Sequence, residues 1–197
     1  MSKASDLARL LNADGEIQAA DIEDGVVTAA KLASTLDLSG KTVTLPSGVG
    51  GKVLQVVYGN TKTEVTVSTT SFTDIGLSAS ITPLFSSSKV LVICSVQVRV
   101  FISTIDNGAS LRLLRNGSSI LAATNTYQIG YNNRSAFNIN SEESYQVPLM
   151  FLDSPASTSA LTYKIQGQQR YSGSGNRVDF QDDDSYTSNI VLMEIAA

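Results

Sequence analysis

Alternating apolar and polar positions dominate the chain from residue 52 onward, and this pattern predicts β-strands. The longest run, KVLVICSVQVRVFIS, carries an apolar residue at every second position over residues 90–102. Successive side chains of a strand point to opposite faces, so the run predicts one continuous buried face. The intervening positions are apolar at the start of the run and polar further along it, at Ser95, Gln97 and Arg99. The second face of the strand should therefore be buried only in part. We therefore expect Arg99→Ser to be tolerated.

Further segments show the same period of two and are separated by turn-forming residues. Asn116 and Gly117 give the strongest hairpin signal, because a two-residue turn of type I′ needs positive φ at both positions and Asn-Gly is its preferred pair. About nine or ten strands with little helix predict one antiparallel β-sandwich or jelly roll, the head domain, over residues 52–197. The further segments are 52–61, 63–69, 71–83, 110–123, 144–153, 160–167, 176–181 and 188–197.

The first 51 residues have a different pattern and predict an N-terminal attachment or shaft segment of mixed short helix and coil. They contain no aromatic residue, and the SGVGGK stretch at 47–52 is typical of a flexible joint, so we divide the chain into residues 1–51 and 52–197. Aliphatic residues recur about every five positions, which matches neither the helical nor the strand period. The recurring positions are Ile17, Ile22, Val27, Leu32 and Leu36.

These aliphatic side chains are too few to form a core within one chain. Ordering about fifty residues costs more free energy than the burial of these side chains provides. Spaced aliphatic residues without rings fit a narrow axis shared by three chains. We therefore predict a homotrimer in which Ile17, Ile22, Val27, Leu32 and Leu36 lie on the axis. A flexible tether is the alternative.

Composition narrows the classes of function. The net charge is −4 and there is no long basic run, so no nucleic-acid partner is expected. No apolar run approaches the ~18 residues of a membrane span. The chain has no histidine, the commonest general base and metal ligand, and its single cysteine, Cys94, lies in an apolar stretch that predicts a core residue. We expect neither an enzyme nor a cofactor.

Two groups of carboxylates are the remaining candidates for chemistry. Asp179 and the run 182–184 predict a solvated acidic loop, with a calcium site as the alternative because neighbouring carboxylates supply oxygen ligands. Glu142 and Glu143 are adjacent, and paired carboxylates hydrolyse glycosides only when they flank one bond across a cleft. A glycan-degrading spike is therefore a third class of function.

Two polar stretches with tyrosines at intervals predict recognition loops, at residues 127–140 and 171–186. Tyrosine rings supply contact area, and the Asn, Ser and Gln residues around them supply adaptable hydrogen bonds, which also suits a glycan. Ordinary loop packing is the alternative. The candidate receptor-binding residues are Tyr127, Tyr131, Arg134, Tyr171, Arg177 and Tyr186.

Residues 14–34, DGEIQAADIEDGVVTAAKLAS, resemble the shaft segments of fibre proteins of tailed bacteriophages, which carry stretches of the type I-x-D-G-x-V-T-x-A-K-L. Residues 51–92 look like the opening of the β-rich heads on virion proteins of marine and cyanobacterial phages. The positions that match the shaft type are Ile22, Asp24, Gly25, Val27, Thr28, Ala30, Lys31 and Leu32.

This resemblance implies a homotrimeric structural protein of the virion, exposed on the particle surface. Its N-terminal segment would bind other virion proteins, and its β-sandwich head would attach the particle to the host, with a host-surface glycan as the candidate receptor. The alternative is a capsid or tail decoration protein without receptor binding. The family has no common catalytic motif, so no catalytic residue is carried over.

Overall fold

The protein is all-β over the residues that a computed structural model describes, which are 53–103, 106–121, 129–132 and 141–196. Two antiparallel sheets pack as a sandwich, so this part of the fold prediction is confirmed. No helix in these ranges is long and apolar enough to cross a membrane. Residues 1–52 lie outside the described residues, so the helix and coil segment, the boundary at residue 51, the homotrimer and its axis positions stay predictions.

Within the described ranges, eleven strands form the two sheets. The first sheet contains β1 (Val53–Thr61), β2 (Val65–Val67), β4 (Lys89–Ile102), β8 (Ser141–Asp153), β10 (Arg177–Phe180) and β11 (Ser188–Ile195). The second sheet contains β3 (Thr73–Ile81), β5 (Asn107–Arg115), β6 (Ser118–Leu121), β7 (Ile129–Asn132) and β9 (Leu161–Gln169). A short 3₁₀ turn, Asp182–Asp184, lies between β10 and β11.

The long alternating run forms β4, the central strand of the first sheet. β8 pairs with one edge of β4 along its whole length, from Val90 opposite Asp153 to Ile102 opposite Ser141. The other edge is shared, because β11 pairs with its first half and β10 with its second half. β1 pairs with β11 and β2 with β10, so β1 and β2 together occupy one interrupted strand position. Residues 62–64 therefore join β1 and β2 in line along the same edge.

The second sheet contains the hairpin that the sequence predicts. β5 and β6 meet at Asn116 and Gly117, whose φ values of 48° and 84° are positive, as a two-residue turn requires. β7 pairs with β5 beyond β6, and β9 and then β3 complete the sheet on the other side. The hairpin prediction is confirmed.

The core lies between the two sheets. The even-numbered face of β4 is buried from Val90 to Ile102, as predicted, and Cys94 is part of it. Burial raises the pKa of the Cys94 thiol to about 12, which fits an unreactive core residue. Gly167 of β9 leaves space for the ring of Phe180, since a Cβ at Gly167 would lie 2.2 Å from Phe180 Cζ.

The strand register defines two ends of the sandwich. At the proximal end lie Val53, where the chain leads in from residues 1–52, and the connection 82–88 between β3 and β4. At the distal end lie Ile102 and the connection 170–176 between β9 and β10. Asn132 and Ser141, which flank residues 133–140, are also at the distal end, because Asn132 pairs with Asn107 and Ser141 with Ile102.

Glu194 is a fully buried carboxylate near the proximal end, on the inner face of β11. It accepts hydrogen bonds from Gln55 Nε2 at 2.6 Å and from the Leu84 amide at 2.8 Å. Burial alone would raise the pKa of Glu194, but these hydrogen bonds stabilise the charged form, and the net effect holds its pKa below the ordinary value. Glu194 therefore ties β1 and the connection 82–88 to β11.

We expect Glu194→Gln to lower the free energy of unfolding at pH 7 by about 1–3 kcal/mol, because hydrogen bonds to a charged acceptor are lost. A carboxylate whose pKa is lowered in the folded state stabilises the fold above its unfolded pKa, near 4.5, and loses that contribution as the pH falls through the folded value. In urea unfolding, the difference between the two proteins should therefore be smaller at pH 3 than at pH 7. A difference that does not change with pH would contradict this role, and Asp183→Asn is the exposed control.

Candidate functional site

The candidate recognition residues divide into those that the structure describes and those that it does not. Tyr127 and Arg134 lie outside the described residues, and Tyr131 lies in β7, of which the backbone is described. Tyr171, Arg177 and Tyr186 are described, and they belong to a segment that runs from the distal end back along the first sheet. Their role in binding stays a prediction.

Tyr171 lies on the distal connection 170–176 and has 37% of its surface exposed. The Arg170 guanidinium stacks over its ring, 4.3 Å from the centroid, and donates a hydrogen bond to its hydroxyl at 2.7 Å. A ring and a cation held together in this way give a polar ligand both a stacking surface and hydrogen-bond donors.

Arg177 is engaged within the fold. Its Nε donates a hydrogen bond to Asp179 Oδ2 at 2.9 Å, and its guanidinium stacks over the Phe101 ring, 4.3 Å from the centroid. The contact with Phe101 joins β10 to β4, because Arg177 and Phe101 are partners in the strand register, whereas the bond to Asp179 lies within β10. A bound ligand would therefore have to compete with the contacts that Arg177 already makes.

Asp179 lies on the outer face of β10 and is nevertheless fully buried. Its Oδ2 accepts a hydrogen bond from Arg99 Nη2 at 2.8 Å in addition to the one from Arg177, and its Oδ1 accepts from the Thr66 hydroxyl at 2.8 Å. The prediction of a solvated carboxylate is therefore wrong for Asp179. The residue pattern could not indicate this burial, because the two guanidinium groups that cover Asp179 come from different strands.

Arg99 is the centre of an ion-pair group that we name the Arg99 cluster. In addition to Asp179, Arg99 pairs with Asp182 at 3.0 Å and with Glu142 at 3.2 Å, and its own side chain is only 20% exposed. The members of the cluster are Arg99, Glu142, Arg177, Asp179 and Asp182. The expectation that Arg99→Ser is tolerated stays a prediction, but the ion pair of Arg99 with a buried carboxylate favours the opposite result.

The segment 181–187 is held against the first sheet by this cluster and by buried amides. The Asp182 amide donates to Gln97 Oε1 at 2.9 Å, and the buried Gln181 side chain shares a hydrogen bond of 2.6 Å with the Ser188 hydroxyl. Asp183 and Asp184 remain exposed, as predicted for this loop. The segment therefore presents Tyr186, 56% exposed, from a fixed position.

Glu64, Asp179 and Asp182 bring their carboxylate oxygens within 4.8 Å of one another, which makes them the candidate calcium ligands among the described residues. Burial raises the pKa of Asp182, Arg99 opposes that rise, and the charges of Asp179 and Glu64 add to it, so that the net pKa is raised. The Arg99 guanidinium already pairs with two of the three carboxylates. The arrangement therefore favours an internal ion-pair group over a calcium site.

Glu142 and Glu143 lie on opposite faces of β8, because neighbouring side chains of a strand alternate. Glu142 points outward to Arg99, and Glu143 accepts a hydrogen bond from the Tyr145 hydroxyl on the inner side. Burial and the charge of Glu143 raise the pKa of Tyr145 to about 12. The two carboxylates therefore do not flank one bond, and this pair does not provide the geometry of a glycosidase.

No protein-family model and no curated protein matches the chain. Among solved structures, it is similar to dimeric latent PorU from Porphyromonas gingivalis, with 10% identity and a TM-score of 0.28, over 77% of this chain and 14% of that one. It is also similar to the structure of the infectious bursal disease virus Gx strain, with 13% identity and a TM-score of 0.31, over 79% of this chain and 41% of that one. The sandwich thus distantly resembles a viral protein, and at these TM-scores neither likeness carries an argument about function.

Proposed function

We propose that this chain is a structural protein of a tailed-phage virion that forms a homotrimer and attaches the particle to the host surface. One observation carries the proposal. The chain joins the sandwich from residues 1–52 at the proximal end, whereas Tyr171 and the strand ends that flank residues 133–140 lie at the distal end. In this arrangement, residues 1–51 bind other virion proteins and the distal end points away from the particle.

The strand order also supports a viral structural role. Three pairs of short strands each occupy one strand position: β1 with β2, β6 with β7, and β10 with β11. The eleven strands therefore fill eight positions, which we number one to eight in chain order. The first sheet then has positions one, eight, three and six, and the second has two, seven, four and five. This is the order of a jelly roll, an architecture that viral capsid and lectin domains share. A fold alone does not assign a function, so the proposal depends on the arrangement of the ends.

The distal surface is suited to weak recognition of a host-surface glycan. Tyr171 with Arg170 supplies a stacking surface there. The described strand ends Asn132 and Ser141 are also distal, and the stretch that they flank, 133–140, contains three Asn residues in the sequence. A single site of this kind binds weakly, but three sites on one trimer and many trimers on one particle raise the effective concentration of the receptor. The attachment role therefore does not need a deep pocket.

We expect Tyr171→Ala to reduce adsorption of virions to host cells by about fivefold or more, because truncating a central contact residue usually removes over 1 kcal/mol of binding. Tyr131→Ala and Arg134→Ala should have effects in the same direction. Phe85→Ala is the matched control, since Phe85 is an exposed ring, 57% exposed, at the proximal end. Light scattering and thermal unfolding check that each variant still assembles and folds.

Equal adsorption of the Tyr171→Ala, Tyr131→Ala, Arg134→Ala and Phe85→Ala virions would contradict the attachment role. The chain would then be better explained as a capsid or tail decoration protein without receptor binding. The glycan-degrading alternative has a separate assay, because hydrolysis of host polysaccharide releases reducing ends. We expect no such release.

A further inference from the structure

The chain contains two Asn-Gly pairs, Asn107-Gly108 and Asn116-Gly117, and the fold places them in opposite environments. An asparagine that precedes glycine is prone to deamidation, because the backbone nitrogen of the glycine can attack the side-chain amide carbon and no neighbouring side chain hinders it. In a folded protein the reaction also requires access for solvent and local freedom of the backbone. The structure therefore distinguishes two sites that the sequence alone presents as equivalent.

Asn116 and Gly117 form the tip of the hairpin between β5 and β6, and both residues are exposed. The ladder of the hairpin ends at the pair Arg115 and Ser118, so the Gly117 amide takes no part in it. A Cβ built on Gly117 would meet no atom within 4 Å, which shows that the turn is open to solvent. Hydroxide from solvent can therefore remove the proton from the Gly117 nitrogen.

Strand β9 supplies a hydrogen-bond donor to the amide that would react. The Thr162 amide donates to Asn116 Oδ1 at 2.8 Å, and the Asn116 amide donates to the Thr162 carbonyl at 2.9 Å. When the Gly117 nitrogen attacks Asn116 Cγ, negative charge develops on Oδ1. A backbone N–H that is already in place stabilises such a charge, as in an oxyanion hole.

Asn107 has the opposite surroundings. It is fully buried at the first position of β5, and Gly108 is buried beside it. Its Nδ2, the group that would leave, donates to the carbonyls of Phe101 at 3.0 Å and of Arg177 at 3.2 Å. Within the described part of the chain, Asn107 Oδ1 has no hydrogen-bond donor, so charge that developed there would be buried without a partner.

We propose that Asn116 is a site of spontaneous deamidation and that the fold protects Asn107 from the same reaction. The deprotonated Gly117 nitrogen forms a bond to Asn116 Cγ, the Cγ–Nδ2 bond breaks, and Nδ2 takes up a proton and leaves as ammonia. Water then opens the five-membered succinimide. Addition at the side-chain carbonyl gives aspartate, and addition at the backbone carbonyl gives isoaspartate. Water is the only co-reactant, and the inference does not depend on the proposed attachment role.

The two products affect the hairpin differently. Aspartate keeps an oxygen that accepts from the Thr162 amide, and Asp-Gly suits the same turn as Asn-Gly. Isoaspartate inserts an extra methylene carbon into the backbone of a two-residue turn, so the pairing of Arg115 with Ser118 is displaced. Both products add a negative charge at the proximal end, since Thr162 pairs with Ser80 next to the connection 82–88.

Peptide mass spectrometry after incubation of the full-length protein at mildly alkaline pH tests the proposal. Digestion at acidic pH prevents further deamidation during the analysis. We expect Asn116 to convert at least about tenfold faster than Asn107, because reaction at a buried pair requires local opening of the fold. Asn60 is the second internal control, because it is exposed but is followed by Thr61, whose branched side chain hinders the attack. It should remain unconverted over the same period.

The same incubation in urea shows whether the fold causes the selectivity. In the unfolded chain, Asn107 and Asn116 should convert at similar rates, since both precede glycine. Similar rates in the folded protein would overturn the proposal. An equally strong preference for Asn116 in urea would also overturn it, because the local sequence would then explain the difference. Conversion of Asn116 no faster than that of Asn60 in the folded protein is the third contradicting result.

The variant Asn116→Asp provides the standard for the products. The aspartate form, separated by ion exchange, should match this variant in its retention and in its midpoint of thermal unfolding. The isoaspartate form carries the same charge but should unfold at a lower temperature, because the turn has lost its register. An isoaspartate form that unfolds at the same temperature as Asn116→Asp would overturn the predicted effect on the hairpin.

Discussion

Arg99→Ser should lower the free energy of unfolding by about 3–5 kcal/mol, the usual effect of removing one partner from a buried ion pair. Asp179 is fully buried, and Arg99 donates to its Oδ2 at 2.8 Å from Nη2 and at 3.2 Å from Nε. Without Arg99, this carboxylate retains Arg177 and Thr66 as partners, and Asp182 loses its cation. Urea unfolding followed by far-UV circular dichroism measures the change.

Two further variants distinguish the ion pair from simple loss of packing. Arg99→Lys keeps the charge but loses the bidentate hydrogen bonding of the guanidinium. Its loss of unfolding free energy should therefore lie between those of the wild type and Arg99→Ser. Adding Asp179→Asn to Arg99→Ser removes the buried charge that has lost one of its two cations and should restore part of the stability, which appears as a coupling energy in a double-mutant cycle. An Arg99→Ser protein within about 0.5 kcal/mol of the wild type would show that the cluster does not stabilise the fold.

Gly167→Ala should destabilise the sandwich by about 3 kcal/mol or more, at the upper end of the range for added volume in a packed core. The new Cβ would lie 2.2 Å from Phe180 Cζ and 2.6 Å from Cε2. Both distances are shorter than van der Waals contact, so the ring would have to move. Phe180 is itself fully buried between the sheets, so the ring cannot swing freely into solvent. The measurement is the midpoint of thermal or urea unfolding.

A smaller side chain at the opposing position should rescue this variant. Phe180→Leu alone leaves a cavity and lowers the free energy of unfolding, but in the Gly167→Ala background it removes the clash. The double variant should therefore be more stable than Gly167→Ala alone. Gly117→Ala shows the cost of a Cβ that clashes with nothing, because a Cβ there meets no atom within 4 Å and its loss comes from the positive φ, about 1–3 kcal/mol. Failure of Phe180→Leu to restore stability in the Gly167→Ala background would contradict the packing explanation.

The sequence pattern predicted the parts of the fold that follow from local alternation and turn chemistry. The period of two over residues 90–102 identified the inner face of β4, and Asn116 with Gly117 identified the hairpin between β5 and β6. Both features involve residues that are close in sequence, where the periodicity and the turn preferences act directly.

The features that the pattern missed depend on partners that are far apart in sequence. Arg99 and Asp179 are 80 residues apart, and each in isolation resembles a charge on a solvated face. Their pairing follows from β10 lying beside β4, which the alternation of either strand does not specify. The alignment of Tyr58, Ile93 and Met150 on the outer face of the first sheet was missed for the same reason, because these residues form a row only once the sheet order is known.

The orientation of the chain on the virion is the central claim. Gold labelling in electron microscopy of two variants, each with one cysteine added besides the buried Cys94, tests it most directly. Ser172→Cys places an exposed thiol on the distal connection 170–176, and Ser87→Cys places one on the proximal connection 82–88. β4 has 14 residues and spans the distance between the two ends, which corresponds to about 45 Å at ~3.3 Å per residue. We expect the label at Ser172→Cys to lie about 40 Å further from the particle surface than the label at Ser87→Cys. Labels at equal or reversed distances, or virions that carry no label, would contradict attachment through the proximal end.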